Sequence, residues 1–416
     1  MWILRRIDGK LLGTSALRSA ADFRRDPYPS WELIRDKGPV LRTYANRGWL
    51  VIGQQAAQEI LRSPDFSNDI QRGRFITSVL RAATEGEPVP FLDHPPLLNQ
   101  DPPAHTRLRK LVSEGFTQRY INSLAPFIEQ CIDGLLRDIP PGEPVDMVSA
   151  LAEPLPVMVI TKMMGVPDEH RGRFVRWSHE LTGATLIAQP EMVARASRAE
   201  REMRDYLNDL VAQKVREPGD DFISRLAQAQ EADDHLTREE IIATCILLLS
   251  AGHETTTRLI GSGLYLLLTH PAQLADLRDD RGLLPGAIEE MLRFEPPIQM
   301  TVRFVARRTR IDGRLMHPGQ MVMISLGAAN RDPAAYEQPQ QFDIHRAPGR
   351  HVAFGYGIHL CLGLALARLE ARLAFDALLD RYAGIELVDR APAWQGNPFF
   401  RGLEHLNVRL VSPDSY

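Results

Sequence analysis

The amino-acid sequence predicts a mainly α-helical domain with a minor β region. From Pro102 onward, apolar residues recur every three to four positions with charged residues between them, which is the period of amphipathic helices. Segments with the alternating pattern of strands are short. Since no linker or internal repeat interrupts this organisation, we expect one domain over residues 20–416, after an N-terminal extension of residues 1–19.

The helices are predicted from their periodicity and their end signals. Asp-Pro-Pro at residues 101–103 provides a plausible cap with proline in the first turn, so a helix is expected from there to about Gly115. The longest periodic segment is 236–269, which Thr237 and Glu240 open with a capping-box pattern. Further helices are expected over 121–137, over 191–216, from Pro271, before the Pro-Pro of 296–297 and after Gly363.

Two short alternating segments, Val40–Tyr44 and Trp49–Ile52, flank an Asn-Arg-Gly turn signal and predict a β-hairpin. By contrast, residues 70–100 and 329–350 are rich in proline together with glycine or polar residues, and we expect irregular loops there. Other short strands are predicted over Val302–Arg307, Arg310–Ile311 and Met321–Ser325.

Composition and charge argue against several classes of protein. Hydrophobic residues make up 44% of the chain, and the formal net charge of -4 lacks the basic excess of nucleic-acid-binding proteins. The apolar N-terminal run is broken by Arg5, Arg6 and Asp8, so it predicts neither a signal peptide nor a membrane anchor. Three cysteines without a Cys-x-x-Cys motif argue against a disulfide framework and a structural zinc site, which favours a cytoplasmic protein.

The most informative segment is Phe-Gly-Tyr-Gly-Ile-His-Leu-Cys-Leu-Gly, residues 354–363, which precedes a predicted helix. Its cysteine, Cys361, lies where the N–H groups of a helix N-terminus favour a thiolate over a thiol. Gly355 and Gly357 permit a tight turn or the close approach of a flat ligand, and Gly363 lets backbone N–H groups approach the sulfur. Such a thiolate can be the axial ligand of haem iron, whereas the alternative is a buried structural cysteine.

This loop resembles the haem-binding loop of the cytochrome P450 family at Phe354, Gly357, Cys361 and Gly363. The resemblance extends from about residue 20 to the end of the chain. It implies the cytochrome P450 fold, a single domain with haem b buried between long helices. It also implies that Cys361 is the axial ligand of the iron and that the other three residues bind the cofactor. The short N-terminus looks like the soluble bacterial branch of the family.

The longest predicted helix contains polar residues in its middle, at residues 251–257, Ala-Gly-His-Glu-Thr-Thr-Thr. Burying polar groups among apolar residues costs free energy unless they are hydrogen-bonded, so these residues are expected to have a structural or functional role. In one interpretation, Glu254 pairs with Arg258 and Thr255 donates back to a carbonyl one turn earlier. In the other, Glu254 and Thr255 are an acid–alcohol pair that passes protons to bound dioxygen. The resemblance favours the second interpretation and implies an oxygen-activating motif at Ala251, Gly252, Glu254 and Thr255.

Glu290 and Arg293 are three residues apart and can pair on one face of a helix. The resemblance implies that they form a buried ion pair with a structural role. The family often adds a second arginine from the irregular segment that precedes the cysteine loop. Here Gln341 takes that position, and Arg346 is a nearby substitute.

The two propionates of a haem need cationic or hydrogen-bonding partners. His105 and Arg109 are four residues apart and therefore share a helix face. The resemblance assigns these two residues, together with Arg303 and His359, to the propionates. Each of them could otherwise be a surface residue.

The pattern as a whole predicts an enzyme, a cytochrome P450 monooxygenase that uses O2 to hydroxylate a hydrophobic small molecule of secondary metabolism, such as a polyketide, terpenoid or steroid. Because the chain has no flavin or nucleotide fingerprint, we expect its electrons from a ferredoxin and a ferredoxin reductase. By family position, the candidate substrate-pocket residues are Arg72, Phe75, Leu92, Leu247, Ile298, Met300 and Phe400. A basic docking face near the cysteine, or a set of scattered solvated charges, is formed by Arg109, Lys110, Arg346, Arg350, Arg368 and Arg372.

Two other functions are compatible with a haem-thiolate protein. A peroxygenase would use hydrogen peroxide, and it would have no need for the pair Glu254 and Thr255. A non-enzymatic haem sensor would be expected to carry an output domain, and the sequence predicts none.

Overall fold

The computed structural model describes residues 20–43, 48–83, 88–183, 190–228, 236–347, 349–395 and 397–413. These residues are mostly helical with small sheets, which confirms the predicted fold class. Their α-helices are α1 (Ala20–Arg25), α2 (Tyr28–Arg35), α3 (Gln54–Arg62), α4 (Arg74–Ala83), α5 (Ala104–Ser113), α6 (Gln118–Ser123), α7 (Ala125–Arg137), α8 (Pro154–Met164), α9 (Arg171–Gly183), α10 (Pro190–Arg216), α11 (Phe222–Gln228), α12 (Arg238–Thr269), α13 (Pro271–Asp279), α14 (Leu284–Phe294), α15 (Leu326–Ala329) and α16 (Leu364–Arg381).

The described strands form three sheets, with the orders β1-β2-β8-β5-β3, β4-β10-β9 and β6-β7. In the first, β1 and β2 pair antiparallel, which confirms the predicted hairpin, while β2 and β8 pair parallel. The turn predicted between β1 and β2 lies outside the described residues. The strands are β1 (Val40–Arg42), β2 (Trp49–Val51), β3 (Phe66–Ser67), β4 (Pro144–Asp146), β5 (Met300–Val305), β6 (Thr309–Ile311), β7 (Arg314–Met316), β8 (Met321–Ser325), β9 (Gly384–Leu387) and β10 (Asn407–Val411).

Contacts divide the chain into two compact units. The first contains the described residues up to Phe66, residues 125–155 and those from Thr255 onward, and the second contains residues 67–124 and 156–254. In the first unit, strands β2 and β8 and helix α3 share a core that includes the fully buried Val51, Ile60 and Val322. Val352 belongs to the same core, so the chain that leads into the cysteine loop is anchored there.

The core of the second unit joins α9 to α10, α11 and the N-terminal part of α12. Phe174 and Trp177 on α9 are buried and meet edge to face, with ring centroids 5.1 Å apart. Ser178, also fully buried, donates from its hydroxyl to the carbonyl of Leu249 on α12 at 3.4 Å. The C-terminal half of α9 is therefore held against the polar middle of α12.

Helix α12 begins as its capping box predicts. The backbone N–H of Thr237 donates to Glu240 Oε2 at 2.8 Å, and the N–H of Glu240 donates to Thr237 Oγ1 at 3.2 Å. These two bonds satisfy N–H groups that have no partner within the helix. The helix ends at Thr269, and α13 opens at Pro271, as predicted; His270 occupies the cap position.

Three predictions need correction. The segment 70–100 is not all loop, because α4 occupies Arg74–Ala83, a stretch free of proline and glycine. Asp101 does not cap α5, since its carboxylate accepts from Ser67 Oγ at 2.5 Å and Asn68 N at 3.2 Å. The helix predicted over 121–137 breaks at Leu124. Pro126, which lacks a backbone N–H, is accommodated in the first turn of α7 and could not lie inside a continuous helix.

Within the described ranges, none of the helices is both long enough and apolar enough to cross a membrane.

Candidate active site

The cysteine loop is a tight turn that ends at the start of α16. The N–H of Cys361 donates to the carbonyl of Phe354 at 2.9 Å, which closes the loop, and Cys361 itself is partly exposed. Gly355 and Gly357 have φ of +74° and +75°, values that side chains other than glycine rarely adopt. At Gly357 a Cβ would also lie 2.6 Å from the carbonyl oxygen of Leu61, so the loop passes close to the end of α3.

The other two cysteines of the chain lie in the core. Cys131 is 4% exposed and Cys245 is fully buried. Burial raises the pKa of the Cys245 thiol, and a nearby Asp221 carboxylate acts in the same direction. Only Cys361 is therefore placed to offer sulfur to a bound group.

One glutamate contacts residues on both sides of the cysteine loop. Glu289 on α14 accepts from Arg368 Nε at 2.6 Å and Nη2 at 2.8 Å, and it lies 3.1 Å from His351 Nε2. Burial acts to raise the pKa of Glu289, but the hydrogen bonds from His351 and Arg368 outweigh it and lower the pKa to about 2. His351 precedes the loop and Arg368 follows it, so one carboxylate fixes both ends. Sequence reasoning missed this contact, because Glu289 looks like any exposed helix glutamate.

The neighbouring Glu290 forms the buried ion pair with Arg293. Arg293 Nε donates to Glu290 Oε2 at 2.6 Å and Nη2 to Oε1 at 2.7 Å, with both side chains 3% exposed or less. Arg346 Nε lies 3.2 Å from Glu290 Oε2 and supplies the second arginine. Gln341 takes part only through its carbonyl, which accepts from Arg293 at 3.0 Å and Arg346 at 3.2 Å. Arg346 thus replaces the arginine that the sequence lacks at 341.

Helix α12 keeps accessible surface along one face. Most of its residues are buried, but Leu247, Ala251 and Thr255, spaced four apart, stay partly or largely exposed, as does Gly252. A Cβ at Gly252 would lie 3.2 Å from Ile160 on α8, so glycine also allows close packing on its other side. The exposed stripe overlaps residues 251–257 at Ala251, Gly252 and Thr255, whereas His253 and Glu254 are buried.

Glu254 lies on the buried side of the same helix turn. Its side chain is 6% exposed, and Oε1 lies 3.3 Å from both Thr182 Oγ1 and His179 Nε2 on α9. Arg258, the partner in the alternative interpretation, donates from Nε to Gln395 Oε1 at 3.0 Å. The sequence could not reveal that His179 and Thr182 contact Glu254, because these contacts join positions more than 70 residues apart.

The predicted propionate partners occupy two environments. In the second unit, His105 is 2% exposed, and burial, followed by the nearby Arg109 charge, lowers its pKa below 6.5. In the first unit, Arg303 is 5% exposed and donates to the carbonyl of Val302 at 2.9 Å, while His359 is partly exposed in the cysteine loop.

The predicted substrate-pocket residues differ in their surroundings. Ile298 and Phe400 are joined by an antiparallel bridge, and Phe400 and Met300 line a small cavity of about 20 Å³. Leu247 lies on the exposed face of α12. By contrast, Leu92 is 1% exposed and is a core residue.

Two other pocket candidates stand apart. Arg72 Nε lies 3.4 Å from an Asp101 carboxylate oxygen, so this arginine is held by a carboxylate of the protein. The side chain of Phe75 lies outside the described part of the chain.

Two arginines of the predicted basic docking face form ion pairs with glutamates of α14. Arg346 is 15% exposed and serves Glu290, and Arg368 is committed to Glu289. Arg372 lies 3.5 Å from Asp376. Arg346 and Arg368 are thus paired with glutamates of α14, whereas Arg372 is paired within its own helix. The sequence alone does not distinguish a solvated cation from one that is paired with another segment.

Comparison with known proteins identifies the family of the chain. The family model "Cytochrome P450" matches residues 44–387. Cytochrome P450 monooxygenase PikC of Streptomyces venezuelae is 42% identical over 398 residues, which cover 93% of this chain and 92% of PikC. The 6-deoxyerythronolide B hydroxylase of Saccharopolyspora erythraea is 38% identical over 395 residues, which cover 93% of this chain and 97% of the hydroxylase.

A solved structure agrees with these relatives. Cytochrome P450 PksS of the bacillaene polyketide synthase from Bacillus subtilis 168 is similar with a TM-score of 0.84 at 33% identity, covering 95% of this chain and 100% of PksS. The similarity extends over nearly the whole length of both chains, so it concerns the complete fold and not a shared fragment.

Proposed function

Because this chain belongs to the cytochrome P450 family, we propose that it hydroxylates a polyketide or a similar hydrophobic small molecule with electrons from a ferredoxin and its reductase. Family membership gives the coarser statement directly: the chain is a haem-dependent monooxygenase. It uses O2, a hydrophobic substrate and redox partners. The axial ligand, the form of the haem, the proton donors and the substrate are the parts that we propose.

The accessibility of Cys361 carries the proposal for the iron ligand. Cys131 and Cys245 are enclosed in the core, whereas Cys361 is partly exposed on a closed loop at the start of α16. The positive end of that helix favours a thiolate. The residues therefore fit a haem, most simply haem b, with Cys361 as its axial ligand and Phe354 as a neighbour of the ring.

The proposed cofactor contacts extend beyond the thiolate. Gly363 on the loop, where a Cβ would meet nothing within 4 Å, and Ala251 on α12 carry no bulky side chain that would obstruct a flat ring. Gly357 and Gly252, in the same two segments, are also proposed cofactor contacts. For the propionates we propose His105, Arg109, Arg303 and His359, which offer hydrogen-bond donors.

The proposed proton donors are Thr255 and Glu254. When bound, haem activates dioxygen and supplies the oxygen-transfer chemistry. Cleavage of the O–O bond consumes protons, which the protein must deliver. Thr255 lies on the exposed face of α12, and its neighbour Glu254 is buried beside Thr182 and His179. We assign Thr255 to hold the last proton and Glu254 to replenish it.

The substrate class rests on the names of the relatives. One relative is a 6-deoxyerythronolide B hydroxylase, and PksS belongs to a polyketide synthase. The exposed face of α12 around Leu247 and Ala251 is apolar, which suits a hydrophobic ligand. Ile298, Met300 and Phe400 remain proposed pocket residues. A cytoplasmic location, where reduced ferredoxin and thiols are available, is part of the same proposal.

The reduced carbon monoxide difference spectrum tests the proposed ligand. We expect wild-type protein to show a Soret band shifted strongly to the red of that of histidine-ligated haem. Cys361→Ser should abolish this band and keep the helical circular dichroism, while Cys245→Ala should keep both. A thiolate-type band in Cys361→Ser would overturn the assignment.

A second experiment tests the electron source. Product formation from a macrolide or linear polyketide panel is measured with NADPH, ferredoxin and ferredoxin reductase, and separately with hydrogen peroxide. We expect turnover with the reductant system. Turnover with peroxide alone, at a rate higher than with reductant, would favour the peroxygenase.

A further inference from the structure

Three potential metal ligands converge on α9 and α12, within the second compact unit. They are His179 on α9 and the adjacent His253 and Glu254 on α12, and one ligand atom from each lies within 4.8 Å of the others. The rings of His179 and His253 have centroids 6.2 Å apart. Two imidazoles and one carboxylate are the donor set of many zinc sites.

One ligand–ligand distance in the cluster matches that of a zinc coordination sphere. Ligands that bind a tetrahedral zinc ion at about 2.0–2.1 Å lie roughly 3.3 Å from one another. His179 Nε2 and Glu254 Oε1 are 3.3 Å apart. This pair already has the required separation, and the ligand atom of His253 lies within 4.8 Å of both.

A backbone contact prepares His253 to bind a metal. Its Nδ1 lies 3.0 Å from the carbonyl oxygen of Leu249, one turn earlier on α12. A carbonyl can only accept, so Nδ1 carries the proton and Nε2 carries the lone pair in the neutral ring. Metal-binding histidines characteristically use their second nitrogen in this way, which fixes both tautomer and orientation.

The site is also reachable and polar. The side chain of His179 is 51% exposed, whereas those of His253 and Glu254 are buried. An ion can therefore enter beside His179 and lose most of its water at the buried ligands. Thr182 Oγ1 lies 3.3 Å from Glu254 Oε1 and adds a polar neighbour to the site, while its proton has a nearer acceptor in the carbonyl of Ser178 at 2.9 Å.

We propose that His179, His253 and Glu254 form a zinc-binding site, with water as a fourth ligand. Two neutral imidazoles and one carboxylate around Zn²⁺ leave one positive charge on the complex. The consequence for turnover rests on the proposed function, because there Glu254 replenishes protons for Thr255. A zinc ion that occupies Glu254 would block that step and inhibit the enzyme.

Zinc affinity tests the site without reference to activity. The haem-loaded protein, purified without a histidine tag, competes for ZnCl2 with a fluorescent zinc indicator. We expect one tight site per chain that MgCl2 does not occupy, because magnesium prefers oxygen ligands. His179→Ala should raise the Kd by about tenfold or more, because even the loss of a second-shell partner costs about 10- to 100-fold in metal affinity.

The matched control is His405→Ala. His405 is another exposed histidine beside a carboxylate, with Nδ1 2.9 Å from Asp146 Oδ2, but it has no part in the cluster. It should leave the zinc Kd unchanged. The carbon monoxide spectrum of His179→Ala shows that the variant is folded. Equal zinc affinities of wild type and folded His179→Ala would overturn the proposal.

Turnover separates the site from the proposed function. Each variant is compared with itself, with and without zinc, and the expected inhibition in wild type should weaken at least tenfold in His179→Ala. If zinc binds through His179 but leaves product formation and coupling unchanged, the site stands and the role of Glu254 as proton donor is refuted. If zinc binds but the protein shows no thiolate-type spectrum, the zinc site stands and the assignment of Cys361 as the haem ligand is refuted.

Discussion

Two glycines of the cysteine loop offer a matched test of how tightly the loop is built. Gly355 and Gly357 have nearly equal φ, +74° and +75°. Their surroundings differ. A Cβ at Gly355 would meet its nearest atom, the carbonyl oxygen of His359, at 3.6 Å, which is ordinary contact. A Cβ at Gly357 would lie 2.6 Å from Leu61 O and 2.9 Å from Arg62 Cα.

These values set the expected losses of stability on substitution by alanine. Gly355→Ala introduces only the strain of a left-handed backbone, which is about 1–2 kcal/mol. Gly357→Ala introduces the same strain and a clash with backbone atoms at the end of α3, which cannot rotate away. Overpacking of this kind adds about 1–3 kcal/mol, so the total for Gly357→Ala is about 2–5 kcal/mol.

The assay is denaturant unfolding of both haem-loaded variants, followed by far-UV circular dichroism and the Soret band. We expect Gly357→Ala to unfold at lower denaturant than Gly355→Ala and to show less thiolate-type carbon monoxide band, because the loop must shift away from α3. Equal losses in the two variants would show that the contact between Gly357 and Leu61 does not constrain the loop, and the reasoning would be wrong.

Three further predictions follow from the contacts of single side chains. Glu289→Gln should lower the free energy of unfolding at pH 7 by about 2 kcal/mol, through weaker bonds to Arg368. The folded pKa of Glu289 is about 2, against an ordinary value of 4.5. The stability that the ionised carboxylate contributes is therefore present above pH 4.5 and is lost as the pH falls toward 2. Denaturant unfolding of wild type and Glu289→Gln should accordingly show a smaller difference in stability at pH 3 than at pH 7. Thr255→Ala should release more peroxide per electron pair consumed, as measured by product and peroxide yields, and unchanged coupling would leave Thr255 a structural role only. Arg346→Met should destabilise the protein by about 1–3 kcal/mol in the same unfolding assay because Glu290 stays buried with one arginine, and a neutral result would make Arg346 dispensable.

Local signals in the sequence were sufficient for some elements. The start of α12 was predictable because Thr237 and Glu240 act through bonds between residues three apart. The turn at the cysteine was predictable because glycine at 355 and 357 marks backbone that other residues avoid. In both cases the residues that decide the structure are neighbours in the chain.

Other features depend on contacts that a sequence does not display. Helix α4 was not predicted because the prolines and glycines on both sides of it are typical of loops, and residues 70–100 were interpreted as one loop. Asp101 looked like a helix cap, but Ser67 competes for its carboxylate from more than 30 positions away. The histidine at 179 beside Glu254 was invisible for the same reason, since only the packing of α9 on α12 brings the two together.

The adjacent glutamates of α14 explain why the chain tolerates glutamine at 341. Glu289 and Glu290 project in directions about 100° apart, so they serve different segments. Glu289 holds the two ends of the cysteine loop, and Glu290 holds Arg293 and Arg346. Both arginines then bind the backbone carbonyl of residue 341, which every amino acid offers. The side chain at 341 is therefore free to vary once Arg346 supplies the charge, and Gln341→Ala should leave the stability of the protein within about 0.5 kcal/mol of wild type, the range of neutral surface substitutions.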